Sequence, residues 1–155
     1  MVDFGAKLGA ALSGVNASFQ QADKDLHEIV VEASAAVEKN SMGLAKVELE
    51  PKTEDLKGTC YALQLVTKVE EKYRMAVLGG YFVESRGYPI IYGELEQKVQ
   101  GTRLVYLVPE AQGLLNSKED LIDHFMKLLT SAESPVVMHV AFLVRQKEKA
   151  DAVPF

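Results

Sequence analysis

At 155 residues, with 48% hydrophobic and 25% charged side chains, the sequence suits a single domain with a sizeable core that needs no staples. A net charge of -5 argues against a nucleic-acid binder and against an electrostatic hold on anionic lipid, since both rely on basic patches. The single cysteine, Cys60, rules out an internal disulfide framework. No basic-then-apolar leader and no run of about 18 apolar residues is read, so the expectation is a cytoplasmic chain without a membrane span.

Residues 1–43 read as an N-terminal helical segment. Phe4, Leu8, Leu12, Val15, Phe19, Leu26, Ile29, Ala33 and Val37 recur at helical spacing, with Asp3 as a cap and Asn40–Gly43 as the stop. Unbroken, such a helix would span about 50 Å, longer than a domain of this size is wide. It must therefore break, near Gly14 or Gln21-Ala22-Asp23, or project and meet a partner. Gly5, Gly9 and Gly14 each cost about 1 kcal/mol of helix propensity relative to alanine, so the first half needs a surface to pack on. The Gly5-x-x-x-Gly9 spacing is used by close-packed membrane helices, but Asp3 and Lys7 flank it here. Packing on the chain's own sheet or on another protein is favoured, with peripheral membrane contact through this helix as the lesser alternative.

Residues 44–146 read as an antiparallel core. Leu44–Glu50 alternates as a short edge strand before Pro51, and Lys52–Gly58 reads as a polar loop. Four strands then follow as a meander: Cys60–Glu70, Lys72–Glu84, Tyr88–Val99 and Arg103–Val108. Ser85-Arg86-Gly87 and Gln100-Gly101 each place a glycine where a hairpin needs positive φ. In the second strand Tyr73, Met75, Val77, Tyr81 and Val83 are assigned to one face, and Gly79-Gly80 marks a bulge or bend. Glu110–Asn116 reads as loop. Ser117 with Asp120 opens a helix whose apolar face is Leu121, Ile122, Phe125, Leu128 and Leu129. Val136–Arg145, apolar at nearly every position, reads as a final strand returning to the sheet, and residues 147–155 as a frayed tail. The predicted class is α+β: an N-terminal helical segment, a meander sheet of four to six strands, one C-terminal helix and a final strand, with helices on one face.

No catalytic residue, cofactor or metal site emerges. Asp120 and His124 share a helix face but lack a third ligand. Cys60 has no histidine or cation arranged to activate it. Glu94 and Glu96 look like the wet face of a sheet, and no phosphate loop or nucleophile elbow is present. The expectation is a non-enzymatic protein–protein interaction module, adaptor-like or chaperone-like and able to form homo-oligomers. Its candidate contacts are Phe4, Leu8, Leu12, Val15 and Phe19 on the first helix, and Arg86 and Tyr88 at a hairpin tip. The alternative is a small-ligand-binding domain or minor enzyme with a pocket between helices and sheet, using Tyr81, Tyr92 and His139.

Overall fold

The structure, a computed structural model, describes residues 2–152. Its first element is one continuous helix, α1, Phe4–Asn40. Asp3 caps it by accepting from the Ala6 amide at 2.9 Å. It ends where Met42 and Gly43 turn left-handed, at φ 56° and 77°, and the Gly43 amide donates back to the Glu38 carbonyl at 2.8 Å. The buried Ser41 hydroxyl then accepts from the Ala45 amide, which starts the first strand. No break occurs at Gly14 or Gln21–Asp23; α1 spans about 55 Å at 1.5 Å per residue.

Seven strands follow: β1 (Ala45–Asp55), β2 (Gly58–Val69), β3 (Lys72–Glu84), β4 (Gly87–Gly93), β5 (Glu96–Gln100), β6 (Arg103–Leu107) and β7 (Ala111–Leu115). Five make one antiparallel sheet in the order β1-β2-β3-β4-β7, while β5 and β6 form a separate ribbon. Helix α2 (Lys118–Thr130) opens at Ser117, whose hydroxyl accepts from the Asp120 amide as expected. Helix α3 (Pro135–Asp151) ends the described chain, so the architecture is α+β.

The helices cover one face of the sheet. Leu26, Ile29, Ala33 and Val37 of α1 and Leu121 and Phe125 of α2 close over Leu63, Leu65, Val83 and Ile90. Partly buried polar pins fix α1 in place. Tyr61 donates to Asp23 at 2.5 Å, and Tyr88 to Asp25 at 2.7 Å. Gln21 also donates to Asp25, at 2.8 Å, and the Lys118 ammonium lies 3.9 Å from it. On the opposite face the β5–β6 ribbon folds back. Val108 and Leu95 press on Gly80, where a Cβ would meet them at 2.9 and 3.0 Å, and the Tyr106 amide donates to Thr53. The close approach that Gly79-Gly80 permits is therefore made by the chain's own ribbon.

Several expectations are corrected. Val136–Arg145 is helix, not strand: Ser134 caps it by accepting from the Val136 amide, and Pro135 sits in its first turn. Helix α3 continues to Asp151, so 147–151 is not a frayed tail; Val153–Phe155 lie outside the described residues. Glu110–Asn116 is not all loop: Ala111–Leu115 forms β7. Strand β1 runs on through Pro51 to Asp55, which an edge strand permits at a bulge. Tyr88–Val99 is two strands, β4 and β5, because the chain leaves the sheet after Gly93. In β3 the register shifts between Val77 and Gly79. The bulge turns Tyr73, Met75 and Val77 away from the helices while Tyr81 and Val83 face them, so the five do not share a face.

Candidate interaction surface

Helix α1 divides at Phe19. From Ala22 to Val37 its apolar stripe is core. Before Phe19 the same stripe continues off the end of the domain: Phe4, Leu8, Leu12 and Val15 are 77, 62, 54 and 42% exposed. Phe19 itself is partly buried against the core. The domain edge is the β3–β4 hairpin, where Gly87 (φ 95°) lies so close to the helix that a Cβ there would meet the Ser18 carbonyl oxygen at 2.6 Å. Residues 4–17 thus form a projecting arm about 21 Å long. No charged residue stands between Lys7 and Asp23. A lone solvated helix normally carries charged side chains around its free face, whereas this arm offers leucine, valine and phenylalanine set among glycine, alanine and serine.

The hairpin tip does not join it as a contact pair. Arg86 is exposed and bonded to Glu84 at 2.8 Å. Tyr88 turns inward to Asp25, where burial and then that carboxylate raise its pKa.

The residues of the ligand-binding alternative are not brought together. Tyr81 and Tyr92 stack with centroids 6.3 Å apart, but His139 is exposed on α3, its Nδ1 2.7 Å from the Pro135 carbonyl oxygen. Their neighbour is His124 of α2, whose Nε2 lies 2.5 Å from the Tyr81 hydroxyl oxygen and whose ring centroid lies 4.2 Å from that of Tyr92. Burial, helped by the Lys127 charge, lowers the His124 pKa to about 4. The sequence carries no local signal for this pairing, because Tyr81 and His124 are 43 residues apart. A cavity of about 330 Å³ between α1 and α3, lined by Val37, Asn40, Leu129, Val136 and Val140, and a wider groove of about 810 Å³ between α1 and β1, lined by His27, Glu38, Lys46 and Gln64 among others, lie elsewhere, and none of Tyr81, Tyr92 or His139 lines either.

Other candidate chemistry is similarly placed. Cys60 is buried, and burial pushes its thiol up to about 11, away from the thiolate form. Asp120 accepts from the Asn116 amide while His124 points to Tyr81, so the two do not face a common site. Among the described residues no group of three metal-ligating side chains converges.

Helices α2 and α3 also expose apolar side chains: Met126, Met138 and Phe142 are 57, 59 and 52% exposed. The stretch Lys118–Asp151 contains an 18-residue window with mean hydropathy 1.2, of which 17% is buried. By length and composition alone that would serve to cross a membrane, although the helix is interrupted between Thr130 and Pro135. No protein-family model matches the chain, and neither does a curated protein or a solved structure.

Proposed function

We propose that this protein is a non-enzymatic interaction module that docks on a protein partner through the N-terminal arm of α1. The observation that carries this reading is the continuity of one apolar stripe, buried from Ala22 to Val37 and exposed from Phe4 to Val15 on the same helix. Burying an exposed leucine or phenylalanine contributes roughly 1.5–3 kcal/mol each, so a partner helix or groove covering these four side chains would gain several kcal/mol. The pins at Asp23 and Asp25 favour the same role, because they fix the direction in which the arm leaves the domain.

The test is native mass spectrometry and sedimentation of the gently purified full chain, beside the double variant Leu8→Asp, Leu12→Asp. The expected result is a defined complex, with itself or with another protein, that the variant loses while its circular dichroism stays unchanged. A wild-type chain that is monomeric, free of any retained protein and indistinguishable from the variant overturns the reading.

A further inference from the structure

We propose that the chain forms a two-fold dimer by pairing the open edge of β3, Lys72–Leu78, with the same segment of a second copy. Strand β3 begins at Lys72, but its ladder with β4 starts only at Gly80 opposite Gly93. After Gly93 the chain leaves the sheet for the β5–β6 ribbon. Lys72–Val77 is therefore held by β2 on one side, with Leu78 at the bulge, and the whole segment is, among the described residues, paired with no strand on the other. Such an edge presents a row of free N–H and C=O groups, which is a template for an added strand. On the face away from the helices it carries Tyr73, Met75 and Val77, which are 68, 67 and 56% exposed.

The register selects a second copy as the occupant. A two-fold axis through Met75, perpendicular to the sheet, sets Met75 against Met75, Tyr73 against Val77, Arg74 against Ala76 and Lys72 against Leu78. No like charges face each other, and the Tyr–Val pairs are of the aromatic–β-branched kind that stabilises sheets. Moving the axis to Arg74 sets guanidinium directly against guanidinium. Moving it to Ala76 sets Lys72 opposite Gly80, which β4 already holds, and carries the pairing past the bulge to Gly79. The Met75 register avoids both the facing guanidinium groups and the β4 ladder. The two Arg74 side chains then lie diagonally, about 7–8 Å apart, a repulsion that salt weakens. Seven facing pairs exchange roughly six to eight backbone hydrogen bonds. This interface is separate from the arm and stands whether or not the arm binds anything.

Cysteine cross-linking of the full chain under mild oxidation tests it. Facing residues of an antiparallel pair have Cα atoms about 4.5–5.5 Å apart, within disulfide reach. Met75→Cys is expected to give a covalent dimer, whereas Lys72→Cys, whose two copies would lie about 20 Å apart, is not. Native Cys60, 2% exposed, stays out of the reaction. In sedimentation, Met75→Lys is expected to weaken the dimer at least tenfold, and mixing Met75→Lys with Met75→Glu chains should restore it. A wild-type chain that stays monomeric at tens of micromolar, equal cross-linking of the two cysteine variants, or a Met75→Lys variant that sediments like wild type each overturns the proposal.

Discussion

His124 makes the stability of this fold sensitive to acid. Its Nε2 is hydrogen-bonded to the Tyr81 hydroxyl, and its ring packs beside Tyr92 and Phe125. That burial, and then the Lys127 charge, favour the neutral imidazole, lowering its pKa to about 4 in the fold from 6.5 in the unfolded chain. As pH falls the unfolded chain takes up the proton first. The stabilisation is therefore complete above about pH 6.5 and is lost as pH drops toward 4. For a fully enclosed ring the difference would be about 3 kcal/mol; solvent reaching the half-buried ring trims it to about 1–2 kcal/mol. Urea unfolding of wild type and His124→Gln at pH 7 and pH 4.5 isolates this contribution, because glutamine can still hydrogen-bond Tyr81 in either direction and does not titrate. Wild type is expected to lose about 1–2 kcal/mol more than the variant over that range. Parallel losses in the two proteins would refute the argument that the fold holds His124 neutral.

Three further outcomes are expected. Asp25→Ala leaves the Tyr88 hydroxyl and the Gln21 amide without their acceptor, and should cost about 2–4 kcal/mol in chemical denaturation; a loss under 0.5 kcal/mol would contradict the pin. Gly87→Ala should destabilise by about 1–3 kcal/mol and more than Gly101→Ala: both glycines have positive φ, but only at Gly87 would a Cβ strike the Ser18 backbone. Equal thermal shifts would mean that α1 does not pass so close to the hairpin. Leu8→Asp with Leu12→Asp should leave the unfolding free energy within about 0.5 kcal/mol of wild type, since surface changes away from the core rarely cost more. A larger loss would place the arm inside the cooperative unit.

The hairpins were legible because two signals coincided. Period-two alternation along Cys60–Glu84 was joined by Gly87 and Gly101 at positions that require positive φ. The cap residues Asp3 and Ser117 were legible for a similar reason: each could be read as a capping oxygen just ahead of a helical apolar pattern. Helix α3 was not legible from periodicity, because Val136–Val144 is apolar at every position but His139 and such a run reads equally as a buried strand. Ser134-Pro135, a cap followed by a proline in the first turn, was the local signal that decided for helix. Strand β7 was hidden by Gly113, which weakens any strand pattern. Its reason is tertiary: the Tyr92 ring lies over that glycine, where a Cβ would meet it at 2.5 Å. The stripe from Phe4 to Phe19 was visible in the sequence, as was its excess length. That α1 projects rather than folds back depends on the close passage at Gly87 and the two aspartate pins, contacts between residues far apart in the chain.

Hydrogen exchange on the dilute, monomeric full chain reads out whether the arm of α1 is free of its own domain. If the arm is a free docking surface, the amides of residues 8–17 should exchange as an isolated glycine-rich helix does, within seconds, while those of Leu26–Val37 stay protected by the core. Equal protection along the whole of α1 would mean that the arm is already buried on its own domain, and the account of it as an interaction surface would be wrong.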